Sequence, residues 1–283
     1  MQPTLGNFSA LPPASAGAKF RVTFLNATAC YLVAYQLVAF AYQAGTALMA
    51  RRLGVPGTWS LSGVRFELGD SGWGRTMVLE VYSAGPALIL ALGVLAFVIF
   101  WKRQRHRRGL SKLLLLWLVL HALNTLLGGL LADTVTQSGS WYVPNWLLGV
   151  GTWPSVVLGL LLGAGQLVLG YLAAIPFLLA QDSHTVLQFE RRPQLVRATI
   201  FGPWLAGSAL LAIGRLPYLS LNELLHYATM ALLLVPLAAG CLQESFSQKK
   251  WTPSPTRVAW GLVGLATLAL LGWRLALGGG VRI

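Results

Sequence analysis

The chain has 283 residues, of which 55% are hydrophobic and 10% charged, with a mean hydropathy of +0.64. So few charges cannot solvate a globular surface of this size, which excludes an ordinary soluble domain and points to a polytopic membrane protein. The net charge of +13 is distributed in short segments between apolar runs, as it is where loops meet the cytoplasmic face of a bilayer, and no basic domain is present to bind nucleic acid.

Residues 1–24 read as an N-terminal tail. Its opening, MQPTLGNFSALPPASAGA, has no positive charge and no compact apolar core, so a cleavable signal is not expected and the first apolar run is a true span. A hydrocarbon core of about 30 Å needs about 20 apolar residues in a helix. Seven segments qualify, approximately Leu25–Ala50, Met77–Trp101, Lys112–Ala132, Ser155–Ala180, Val196–Ile213, Asn222–Gly240 and Val258–Leu277. The fifth and sixth are close to the minimum length and are flanked by Pro203, Pro217 or Pro236, so the expected fold is an all-α polytopic membrane protein of six to seven transmembrane helices. Cys30 and Cys241 are isolated thiols in or near apolar runs and read as packing residues.

Between the first two spans, residues 59–75 alternate through Trp59, Leu61, Val64, Phe66 and Leu68, with Gly63 breaking the pattern and Gly69, Gly72 and Gly74 at the end. This predicts a short β-hairpin or ribbon. Glu80, the sole acid of the second span, is expected at the interface, paired with Arg75 or Arg51. Trp101–Lys112 follows, with six Lys or Arg and no acid, and is assigned to the cytoplasm. Alternation then leaves the N-terminus, 181–195 and 241–257 inside, with 51–76, 133–154, 214–221 and the C-terminus outside. That arrangement puts 14 of the 21 Lys and Arg inside.

His121 and Asn124, three residues apart on the third span, share a face, and with Gln36 they form a candidate intramembrane polar cluster suited to hydrogen bonding inside the bundle. Trp141, Tyr142, Trp146 and Trp153 mark the next loop as interfacial. On the fourth span Gly159, Gly163, Gln166 and Gly170 draw a stripe that lets another helix approach closely, or alternatively lines a transport path. Glu223 and His226, one turn apart behind a cap at Asn222, read as a solvated interfacial pair, with a proton relay or metal site as the alternative. Gly278-Gly279-Gly280 reads as a frayed tail.

One stretch of the first span carries a different signal. A zinc-protease helix of the HExxH type needs two His one turn apart and a Glu to take a proton from the zinc-bound water. Tyr42, Gln43 and Thr46 stand at those three positions, and a phenol, an amide and a hydroxyl cannot do that work together. The surrounding frame is Tyr42 to Ala50, then Arg51-Arg52-Leu53-Gly54-Val55. It resembles the site-2 protease family of intramembrane zinc metalloproteases, matching at Gly45, Ala47, Leu48 and Ala50. The β-ribbon and the following Ala84-Gly85-Pro86-Ala87-Leu88 also match, although Ile89 stands where the family often has Asn. Asn124 and Asp133 fall near the family's Asn and zinc-binding Asp, with Thr134 in place of the usual Gly.

The resemblance covers roughly residues 30–135. It implies a degenerate zinc site at Tyr42, Gln43, Thr46 and Asp133, without metal, cofactor or catalytic residue, in a three-helix core (25–135) followed by C-terminal membrane helices (136–283). It further implies that Tyr42, Gln43 or Thr46 meets the third span near His121–Gly128, and that the hairpin is cytoplasmic, opposite to the charge count. The expected role is an inactive relative that binds or scaffolds another membrane protein or transmembrane helix, in a multi-pass setting such as a bacterial inner (plasma) membrane. The alternatives are a transporter or channel using the Gly/Gln stripe, which lacks repeated halves, and an enzyme using His121 or the Glu223/His226 pair.

Overall fold

The computed structural model describes residues 16–149, 151–182, 189–243 and 257–283. Most of the expected N-terminal tail, together with Lys249 and Lys250, lies outside the described residues. Among the described residues, seven helices are long and apolar enough to cross a membrane: Gly17–Arg52, Arg75–Gln104, Ser111–Thr136, Trp153–Leu172, Arg192–Arg215, Leu221–Cys241 and Trp260–Leu277. The protein is an all-α polytopic membrane protein with a small sheet after its first helix. Many large apolar side chains point outward, among them Leu160, Leu161, Leu268 and Leu275, as a lipid-facing surface requires.

The first helix begins at Ala16 and not at Leu25. Its extra turns carry Lys19 and Arg21, which lower the hydropathy without opposing helix formation. It is the central post of the bundle, packing on the second, third, fifth and seventh spans, and Tyr31, Ala34 and Val38 lie in the main core. The sixth span packs on the fourth and on the second half of the third, while the seventh is peripheral.

Prolines and small residues explain the irregularities. The fourth span breaks at Ala173, because Pro176 has no N–H to offer the Leu172 carbonyl four residues earlier and its ring crowds that same carbonyl. The fifth contains a π-helical turn, Arg197–Phe201, just before Gly202-Pro203, and further π-turns occur at Phe100–Gln104 and Asn124–Gly128. Gly85 sits against the first helix so closely that a Cβ there would lie 2.7 Å from both Thr46 Oγ1 and the Tyr42 carbonyl. Opposite it, a Cβ on Gly45 would lie 3.1 Å from the Ala84 carbonyl. The Gly45/Gly85 pair therefore fixes how the first two spans cross.

The hairpin is β1, Gly57–Ser60, paired antiparallel with β2, Gly63–Phe66. Gly63 at φ +120° makes the tight return possible. A third strand, β3 (Val281–Arg282), joins the other side of β1, with Ile283 N–H bonded to the Gly57 carbonyl. The C-terminal glycines are thus not a frayed tail. They turn the chain, Gly280 at φ +70°, so that its last residues complete the sheet. Ala50, Val55 and Val81 form a small core beneath this sheet.

The pairing of β3 with β1 puts the C-terminus and the hairpin at the same end of the bundle. At the other end Lys112, buried to 1% exposure, meets Asp182 at 2.5 Å, and Arg192 donates to the carbonyls of Cys241 and Gln243. Seven spans in alternation agree with both ends.

Candidate functional site

At the hairpin end a cavity of about 980 Å³ enters the bundle. Its walls come from the first, second, third, fifth and sixth spans, from β2 and from the 138–146 segment. Tyr42, Gln43, Thr46 and Asp133, far apart in sequence, all line it.

Each is held in place by a specific bond. Tyr42 shares a hydrogen bond with Ser140 Oγ at 2.6 Å, and Thr46 donates to the Tyr42 carbonyl at 3.1 Å. Gln43 Oε1 accepts from Trp59 Nε1 of β1 at 2.6 Å, locking the hairpin to the first helix. Asp133 accepts from Ser140 N–H at 2.7 Å and from Asn222 Nδ2 at 2.7 Å, and Asn222 also donates to Thr136 Oγ1 at 2.8 Å. Gly139, at φ +55°, wraps the chain so tightly about the Asp133 carboxylate that a Cβ there would lie 2.7 Å from Oδ2. Asn222 is therefore a partner of Asp133 and not the helix cap. Ser220 caps the sixth span in a reciprocal box with Glu223.

A second polar group forms the inner wall. Arg215 pairs with Glu223 and donates to Tyr35 OH at 2.9 Å; both charged side chains are buried. The expected solvated Glu223/His226 pair is thus replaced by a buried ion pair, because the fifth span ends in a cation beside the start of the sixth. His226 lies within 3.4 Å of Thr125 Oγ1.

Gln36, His121 and Asn124 are all buried, but the last two have different surroundings. His121 is enclosed by the rings of Tyr31, Tyr35 and Trp117, at 4.5, 5.5 and 5.8 Å. Asn124 donates to the His226 carbonyl at 3.0 Å and accepts from Gln166 Nε2 at 3.0 Å, joining the third, fourth and sixth spans. The first and third spans do pack directly, yet the side chains that meet His121 are Tyr31 and Tyr35, about two to three turns before Tyr42. The bonds of Tyr42, Gln43 and Thr46 run to Ser140, Trp59 and their own helix.

On the fourth-span stripe, Gln166 takes part in the Asn124 network, Gly170 abuts the Leu233 carbonyl and Gly159 abuts Leu131, while Gly163 faces open space. In the aromatic loop Trp141 is buried and Tyr142 and Trp146 line the cavity, so only part of that loop is interfacial; Trp153 is exposed. Glu80 is exposed and has no ion-pair partner among the described residues.

Comparison with protein-family models, with curated proteins and with solved structures gives no match. The geometry of the cavity is what bears on function. Among the described residues, no three His, Cys, Asp or Glu side chains lie together as a metal site would require. The groups lining the cavity are hydroxyls, amides, aromatic rings, the buried Arg215–Glu223 pair, the Asp133 and Asp70 carboxylates, Arg65 and the His226 imidazole, a set suited to holding a ligand by hydrogen bonds and ring contacts. Ser140, Arg215 and Tyr35 were not singled out by the sequence reading. Arg215 is the one that carries a signal, as a cation at the very end of an apolar run.

Proposed function

We propose that this protein is a non-catalytic membrane binding protein, a degenerate relative of the site-2 proteases that holds an extended polypeptide segment in its hairpin-end cavity. The observation that carries the reading is that the four positions matching the family's zinc site line one cavity together with the edge strand β2. Among the described residues β2 is paired on one side, with β1, so its other side offers backbone donors and acceptors to an added strand. Ser62, Gly63, Val64, Arg65 and Phe66 all border the cavity, which gives an incoming strand both a ladder and side-chain space. Tyr42, Gln43 and Thr46 take the place of groups that would cut it. The transport reading is less well supported, since Gln166 of the stripe is engaged with Asn124 and not with an open path.

The test is site-specific photocrosslinking in native membranes. A photoreactive residue at Val64 is expected to give a discrete polypeptide adduct, and the same residue at lipid-facing Leu268 to give none. If Val64 yields only lipid adducts, or the same products as Leu268, the reading fails.

A further inference from the structure

A second cavity lies at the opposite end of the bundle. It is a groove of about 340 Å³ whose lining is entirely apolar, including Ile89, Val94, Phe97, Leu123, Leu172 and Phe177. The second span and the fourth, with its continuation Ala174–Ala180, each pack on the third and leave this cleft between them. Val94 and Leu172 are more than half exposed at its mouth, so the groove opens sideways into the bilayer.

One stripe of the second span connects the groove to the cationic loop. Leu90, Val94 and Phe97 lie in the groove, Phe97 stacks on Trp101 with ring centroids 5.9 Å apart, and the Arg105 guanidinium lies 4.7 Å above the Trp101 ring. The loop has cationic charge to spare. Lys112 is matched by Asp182, but Lys102, Arg103, Arg105, Arg107 and Arg108 have no carboxylate partner among the described residues. An apolar groove that runs into unmatched positive charge at the membrane surface is complementary to one kind of molecule, an acyl chain carrying an anionic headgroup.

We infer that this groove is a binding site for an anionic phospholipid of the leaflet facing the basic loop. One acyl chain lies between the second and fourth spans, and the phosphate sits over Trp101 between Lys102 and Arg105. A partner helix fits the groove less well. Close helix approach needs small residues, and Gly93 already faces the third span, where a Cβ would come within 2.9 Å of Ala122 Cβ. The inference does not depend on the polypeptide-binding reading of the other cavity.

The experiment is native mass spectrometry of the detergent-purified full chain, titrated with phosphatidylglycerol or with phosphatidylcholine of the same acyl chains. The expected result is saturable retention of phosphatidylglycerol at concentrations where phosphatidylcholine is not retained. K102Q and R105Q should each weaken it about fivefold, the contribution usual for one surface cation near anionic lipid. Val94→Trp, at an exposed position, fills the groove and should abolish retention, whereas Leu268→Trp on the seventh span should not alter it. Soluble glycerol phosphate should not compete. Equal retention of the two lipids, full binding by Val94→Trp, or displacement by glycerol phosphate would each overturn the proposal, the last two by reducing the site to a headgroup patch. Elution and helical content matching the unmodified protein identify variants that have kept their fold.

Discussion

Tyr42 and Asp133, on the first and third spans, are joined through a single residue. The Tyr42 hydroxyl bonds the Ser140 hydroxyl, and the backbone N–H of that same Ser140 bonds the Asp133 carboxylate. Two positions that the proposed relationship to the site-2 proteases would make zinc ligands are linked here by a loop serine.

This linkage predicts unequal effects of substitution. Ser140→Ala removes the hydroxyl but keeps the N–H, so it should cost about 0.5–1.5 kcal/mol, the range for one hydrogen bond. Asp133→Ala strands the Ser140 N–H, at about 1–3 kcal/mol, and removes one of the acceptors of the Asn222 amide, which keeps Thr136 Oγ1, so it should cost more than Ser140→Ala. Reversible unfolding in mixed micelles measures both. Equal losses would mean that the carboxylate does not organise the turn.

The Arg215–Glu223 pair should behave as buried charge. Arg215→Met alone strands the Glu223 carboxylate and is expected to cost about 3–5 kcal/mol, whereas Arg215→Met combined with Glu223→Leu should recover most of that loss. A double-mutant cycle in the same unfolding assay reads the difference. If the double variant is as unstable as the single one, the pair's role is in shaping the cavity through Tyr35 and Ser220 and not in balancing charge.

The ends of the bundle give a topology prediction. Ser62→Cys on the hairpin and a cysteine appended after Ile283 should be labelled by an impermeant thiol reagent from one side of the membrane, because β3 pairs with β1. Ser111→Cys should be labelled only from the other. The charge count makes the Ser111 side cytoplasmic. Labelling of Ser111→Cys from outside would reverse the orientation and agree with the sidedness of the protease family.

The sequence made the seven spans legible because length and hydropathy are local properties, and made the hairpin legible because Gly63 interrupts an alternating strand pattern. It did not reveal β3, since Val281 and Arg282 acquire strand structure only from β1, more than two hundred residues earlier. Helical periodicity placed His121 and Asn124 on one face but could not say which neighbours that face meets. One residue is enclosed by Tyr31 and Tyr35, and the other joins Gln166 and the sixth span. Nor does an apolar run ending in Arg215 disclose that Glu223 waits at the start of the next helix. The cap expected at Asn222 falls instead on Ser220 for a related reason: cap preference is a local rule, and Ser220 satisfies it equally well, which frees Asn222 for Asp133.

The last prediction tests whether the cavity descends from a zinc site. The unmodified protein, with Tyr42 and Thr46 where the proposed relationship would put two His, should contain far less than about one zinc per chain, because a phenol and an aliphatic hydroxyl are poor ligands beside imidazole. Substituting both as Tyr42→His and Thr46→His places two imidazoles one helical turn apart on a wall of the cavity that also holds Asp133. Three such ligands plus water make an ordinary zinc coordination sphere. The double variant should therefore gain zinc by elemental analysis, up to about one per chain, with Asp133→Ala abolishing the gain. Asp133 would have to exchange its bonds to Ser140 and Asn222 for the metal, so the gain should be partial unless Ser140 is also replaced by Gly to loosen the turn. Zinc uptake that is indifferent to Asp133 would show that the histidines bind metal wherever they are placed, and would remove the geometric support for descent. No uptake with Ser140→Gly present would mean that the three positions share a cavity without sharing a centre.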